Sequence, residues 1–249
     1  MRFDQGMEEN KIGKTAFKFS AIGIDKLADI ADEFTLVTIA VDITGSVDGF
    51  EGELKKMLTT AIESCRKNPR SSNLLVRVIL FSSSLRGGIQ EIHGFKPLSD
   101  IDTNSYPDFH PSGLTPLYDA AFSAVGATNE YGKNLMTQDY NANGIVFIIT
   151  DGINNDSTAT VEMVKTEISR GVKKETIESI IGIVIGINAQ MYEAKLKEFA
   201  DESGMRYRDA KDATPQNLAK LADFVSQSIS SQSQSLGTGG PSQNIAARI

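Results

Sequence analysis

Leu36-Val37-Thr38-Ile39-Ala40-Val41-Asp42-Ile43-Thr44-Gly45-Ser46 decides the fold of this 249-residue chain. The run from Leu36 to Val41 has no charged residue and is dense in β-branched side chains. Such a run reads as a strand buried on both faces, as inside a parallel sheet. One carboxylate and two hydroxyls follow at alternate positions, Asp42, Thr44 and Ser46. All are hard oxygen donors, which Mg²⁺ and Ca²⁺ prefer over the nitrogen and sulfur ligands favoured by zinc or copper. The stretch therefore predicts a buried strand that ends at a divalent cation.

Further strands are expected at about 74–82, 88–95, 143–150 and 178–187, with a short one near 205–208, beside the first at about 35–42. Amphipathic stretches lie between most of them. One helix should begin near Gly49, because Asp48 and Glu51 have capping-box spacing. Another should begin at Pro116 with Thr115 as its N-cap. Three more are expected at about 159–172, 190–202 and 215–230. The alternation predicts an α/β fold with a doubly wound, mostly parallel central sheet flanked by helices and one antiparallel edge strand.

Residues 34–230 read as one domain and 1–33 as an N-terminal extension, in which Phe17, Phe19 and Ile22 suggest a short strand. Residues 231–249 are rich in Ser, Gln and Gly and are expected to be a flexible tail, although the last five are apolar enough to dock. Residues 98–113 are too many for an ordinary connection and read as a binding loop that leads into Thr115.

Hydrophobic content of 40% and charged content of 23% suit a globular chain. A formal net charge of −7 argues against nucleic acid or an anionic membrane as the main partner. The first nine residues contain no apolar signal-like core, and no apolar run approaches a membrane span, so a cytoplasmic protein is expected. The single cysteine, Cys65, shares the helical stripe of Leu54, Met57, Leu58, Ala61 and Ile62 and reads as core.

If the sheet is parallel, three separated segments meet. Asp42 follows one buried strand, and Asp151 follows another, Gly144 to Thr150. Ligands of open α/β sheets bind beyond the carboxyl ends of the strands, and returning helices start at that same edge. Asp42, Thr44, Ser46, Thr115 and Asp151 should therefore gather at one rim. Taken singly, each also has an ordinary explanation as a cap, a turn or a hydroxyl at a helix entry.

The Asp-x-Thr-x-Ser motif, the later Gly-x-Thr-Pro-Leu and the Thr-Asp-Gly after a second buried strand together resemble the von Willebrand factor A domain and its metal-ion-dependent adhesion site. The form is that of intracellular prokaryotic or phage members. The resemblance covers roughly residues 33–230. It implies that Thr44 and Ser46 ligate through hydroxyls, that Thr115 ligates directly or through water, and that Asp42 and Asp151 anchor mainly through water. The implied ion is Mg²⁺, with Mn²⁺ or Ca²⁺ as alternatives, and its open position accepts an Asp or Glu carboxylate from a protein partner. Intracellular members of the family often work beside AAA+ ATPases. Two positions depart from the commonest pattern: Thr44 stands where serine is more usual, and Leu114 where a second glycine is frequent.

Two other functions compete. A strand-end aspartate beside Mg²⁺ can be a phosphoryl-accepting nucleophile, but such enzymes usually need a second aspartate two residues on, and Thr44 stands there. A histidine-based site would rest on His93, in an edge strand, or His110, in the long loop. The expectation is a binding module rather than an enzyme. The other alternative is an assembly component whose metal exchanges no ligand.

Overall fold

A computed structural model describes residues 7–12, 15–173 and 176–238. The chain opens with an antiparallel hairpin of β1 (Met7–Ile12) and β2 (Thr15–Ser20). The central strand β3 (Glu33–Asp42) follows, then α1 (Glu51–Cys65), β4 (Leu74–Phe81) and β5 (Ile89–Pro97). The second half alternates α2 (Leu117–Met136), β6 (Asn141–Thr150), α3 (Val161–Val172), β7 (Ile180–Gly186), α4 (Glu193–Ser203), β8 (Arg206–Asp209) and α5 (Pro215–Thr238).

Strands β3 to β8 form one sheet in the order β5-β4-β3-β6-β7-β8. Every neighbouring pair is parallel except β4 with β5. The doubly wound α/β architecture with an antiparallel edge strand is the one the sequence predicts. Its winding reverses between β3 and β6, since β4 is laid on one side of β3 and β6 on the other. That reversal is where such sheets open a crevice for ligands.

Pleat parity divides the core in two. Val37, Ile39 and Val41 pack with α1 and α5, while Leu36 and Ala40 pack with α2, α3, α4 and β2. Helix α2 is apolar on most of its circumference and is buried accordingly, with the sheet on one side and the hairpin and α3 on others. Gly126 makes room for the hairpin: a Cβ there would lie 2.4 Å from the Phe17 ring. The N-terminal segment is thus tied into the core through Phe17 and Phe19. It is tied by charge as well, because the buried Arg77 donates to Glu91 at 2.6 Å and Glu91 also accepts from the Ser20 hydroxyl at 2.6 Å.

The structure corrects three local expectations. No capping box opens α1: Phe50 holds the cap position, and Glu51 instead accepts from the Gly49 amide at 2.7 Å where Gly49 turns the chain at φ +94°. Helix α2 starts at Leu117 with Pro116 at the cap, so Thr115 is not its N-cap. Helix α5 runs eight residues past the expected end of the domain, to Thr238. There the Gln232 side chain donates to the Gly144 carbonyl at 3.1 Å and the Ser179 hydroxyl at 3.2 Å, while Asn143 donates to the Gln232 carbonyl at 2.7 Å. Polar composition reads as a solvated tail, but here the polar groups find buried partners at the amino ends of β6 and β7. The rest of that segment, 239–249, lies outside the described residues.

Residues 98–113 have a topological reason for their length. Because β5 is antiparallel, it delivers the chain to the edge opposite the one where α2 must begin. The segment climbs back along α1: Arg66 holds the Leu98 carbonyl, Thr103 donates to Glu63 at 2.8 Å, Lys55 donates to Asp108 at 2.7 Å, and the Ser112 amide donates to the Ile43 carbonyl at 3.1 Å. Only its last residues reach the rim.

Candidate metal centre

The strand pairing puts Val41 opposite Ile149, so Asp42 and Asp151 leave adjacent strands almost level with each other. Five side chains expected at the rim come together there. Their oxygens form a chain: Thr115 Oγ1 lies 3.5 Å from Thr44 Oγ1, which lies 3.1 Å from Ser46 Oγ, which donates to Asp151 Oδ1 at 2.7 Å. Asp42 sits behind them, 1% exposed. Its Oδ1 accepts from the Thr44 amide at 2.8 Å and its Oδ2 from the Thr150 hydroxyl at 2.6 Å.

Burial pushes the Asp42 carboxyl up to about 7, against the lowering effect of the Thr150 and Thr44 hydrogen bonds and with a small further push from Asp151. Burial also raises Asp151, opposed by its bond from Ser46. Two acids held above their ordinary range side by side are a site that gains from an added positive charge.

The donor set fits a hard divalent cation. Every group is oxygen, and octahedral Mg²⁺ with bonds of about 2.0–2.1 Å separates adjacent ligand atoms by about 3 Å. The Thr44 to Ser46 separation of 3.1 Å matches that edge. Among the described residues no three His, Cys, Asp or Glu side chains cluster as a conventional metal site. The rim instead combines two carboxylates with three hydroxyls.

Three further residues, Thr150, Asn155 and Ser157, position the rim. Thr150 fixes the rotamer of Asp42 and accepts from the Gly152 amide at 3.2 Å. Asn155 grips Thr115 at both backbone groups: its Oδ1 accepts from the Thr115 amide at 2.6 Å, and its amide donates to the Thr115 carbonyl at 3.1 Å. The start of α2 is capped from outside. The Ser157 hydroxyl accepts from the amides of Tyr118 and Asp119 at 3.0 and 3.2 Å, and Asp119 in return accepts from the amides of Thr158 and Ala159. Thr150 had a signal in the Thr-Asp-Gly triplet; Asn155 and Ser157 had only loop composition.

Other polar candidates sit elsewhere. His93 is buried and hydrogen-bonded to the Tyr106 hydroxyl at 2.6 Å, and burial lowers it to about 4. His110 is exposed in the climbing segment. Cys65 is buried and pushed up to about 12, an unreactive thiol packed against the sheet.

No family model matches the sequence, and no curated protein sequence matches it. Solved structures do. The chain is similar to the PilB minor pilin from Streptococcus sanguinis at 16% identity, with 85% of this chain and 64% of that one covered and a TM-score of 0.58. It is similar to the pilus adhesin SpaC from Lactobacillus rhamnosus GG at 11% identity, over 90% of this chain and 34% of that one, with a TM-score of 0.60. Proximal thread matrix protein 1 from the mussel byssus matches at 14% identity over 81% and 46% of the two chains, with a TM-score of 0.52. The chain spans less than two thirds of each of these proteins. At such identities the likeness is one of fold.

Proposed function

We propose that this chain is a metal-dependent protein-interaction module. Thr44, Ser46 and Thr115 would hold a divalent ion, Mg²⁺ in the first instance, with Asp42 and Asp151 anchoring its water shell. Such an ion, when bound, supplies an electrophilic position for an Asp or Glu carboxylate of a partner protein. The observation that carries this reading is the unbroken run of oxygens from Thr115 through Thr44 and Ser46 to Asp151.

The chain's own residues do the rest. Asp42 supplies charge from beneath while its two oxygens are committed to Thr44 and Thr150. Asn155 and the Ser112 amide bond to Ile43 hold the Thr115 segment against β3, so the ligand groups are arranged before any ion arrives. A site poor in direct carboxylates leaves the ion short of negative charge, which favours capture of one more acid from outside. Pili and byssal matrix are the settings named for the proteins of similar fold, and an AAA+ ATPase in the cytoplasm is the partner suggested by the family resemblance.

The test is thermal. Mg²⁺ at ten times its dissociation constant should add about 1.4 kcal/mol if it binds the folded chain alone. That is about 3–6 °C in melting temperature for a domain of this size. A melting temperature unmoved by Mg²⁺, Mn²⁺ and Ca²⁺, or a response unchanged in Asp42→Ala, defeats the reading. Capture from a native lysate that is lost with chelator and in Thr115→Ala supports exchange at the ion; capture that survives both supports a fixed assembly role instead.

A further inference from the structure

Leu114, between Gly113 and Thr115, is 52% exposed beside a rim otherwise built from oxygen groups. Of the other exposed large hydrophobic side chains among the described residues, Val172 ends α3 at the opposite edge of the sheet, and Met191 and Tyr192 lie on the carboxyl edge beyond β7, in the segment that leads into α4. Single exposed leucines are common, but this one is fixed in place. Its amide donates to the Ser83 hydroxyl at 2.7 Å, and its carbonyl accepts from the Ser83 amide at 2.9 Å. Gly113 before it is at φ +76°, and a Cβ there would lie 2.7 Å from the Ser84 amide nitrogen. Asn155 locks Thr115 after it. The backbone therefore cannot turn Leu114 inward, and the side chain stands one residue, about 3.8 Å of chain, from a rim hydroxyl.

We infer that Leu114 is a specificity contact: the partner's acidic residue is accompanied, within two positions along its chain, by an aliphatic or aromatic side chain that packs on Leu114. The inference rests on the ion-capture reading of the rim, which attracts the acid, while an uncharged apolar flank rewards an apolar neighbour and disfavours a second charge.

A displayed library of random peptides, each with one fixed Asp or Glu, is selected on the full chain with Mg²⁺ and with chelator. The expected result is Mg²⁺-dependent peptides enriched in Leu, Ile, Val, Met or Phe within two positions of the acid. Leu114→Ser should erase that preference and weaken the best peptide about five- to tenfold, the effect of losing one half-buried aliphatic contact. Its melting response to Mg²⁺ should stay that of the parent, and Leu114→Met should restore the preference. Mg²⁺-dependent peptides without an apolar neighbour, or an unchanged preference in Leu114→Ser, overturn the inference and leave ion capture standing. If the parent selects no Mg²⁺-dependent peptide, the capture reading falls and the inference falls with it.

Discussion

Mg²⁺ binding should be tightly coupled to the proton on Asp42. In the metal-free protein this carboxyl is raised from 3.8 to about 7, chiefly by burial. The native state therefore keeps its proton where the unfolded chain has lost it. The stability from that difference is fully present below about pH 4 and is lost as pH rises through about 7. A shift of about three units corresponds to about 4 kcal/mol. A cation bound at the rim reverses the preference, because it favours the ionised carboxylate.

Three measurements follow. Calorimetric titration of Mg²⁺ between about pH 5.5 and about pH 8.5 should show affinity rising about thirtyfold, as expected when one proton with a pKa near 7 is displaced. Proton uptake or release in buffers of different ionisation enthalpy should report about one proton released below pH 7. In chelator, the parent should lose stability over the same range, and Asp42→Asn, which keeps the shape but cannot ionise, should not show that loss. A pH-independent Mg²⁺ affinity refutes the reasoning. So does a chelated Asp42→Asn protein whose stability falls with pH as steeply as the parent's.

Thr150→Val removes the hydroxyl that donates to Asp42 Oδ2 with almost no change of shape, and it should weaken Mg²⁺ about tenfold or more in the same titration, as loss of an outer-shell partner does. Gly126→Ala should cost about 1–3 kcal/mol in denaturant unfolding, since its methyl meets the Phe17 ring; pairing it with Phe17→Leu should recover part of the loss. Gln232→Ala should cost about 1–3 kcal/mol by leaving the buried Gly144 carbonyl short of a donor, and an unchanged unfolding midpoint would mean that the Ser- and Gln-rich end of α5 carries no stability.

The central strands were legible because β3, β6 and β7 are built on continuous apolar runs, and the identity of a buried parallel strand depends on little else. The rim was legible for a related reason: Asp42, Thr44, Ser46 and Asp151 follow such runs at once, so knowing the strands located the side chains. What escaped the sequence depends on partners distant in the chain. The Ser- and Gln-rich stretch looks solvated until Gly144, Ser179 and Asn143 are seen to meet Gln232. Arg77 sits in a strand where a charge has no local excuse, and only Glu91 and the Lys18 carbonyl explain it. Thr115 before Pro116 has the local form of a helix cap, yet Ser157, some forty residues later, provides the cap and leaves the Thr115 hydroxyl for the rim.

That last exchange shows how the fold makes this site. A threonine that caps its own helix spends its oxygen on a backbone amide, and a rim built from such a residue would lack one ligand. Here the reversal of β5 sends the chain the length of the sheet before α2, and the Ser112 amide is caught by Ile43 and the Thr115 amide by Asn155 as it arrives. With α2 capped by the loop after β6, both loops flanking the crevice are held by each other. Cutting that mutual hold, by Asn155→Ala or Ser157→Ala, therefore acts on the candidate metal centre through Thr115, with the β3 motif left intact. The three segments become a site only when the whole sheet is assembled, which ties ion binding to the folded state and makes thermal stability a faithful reporter of it.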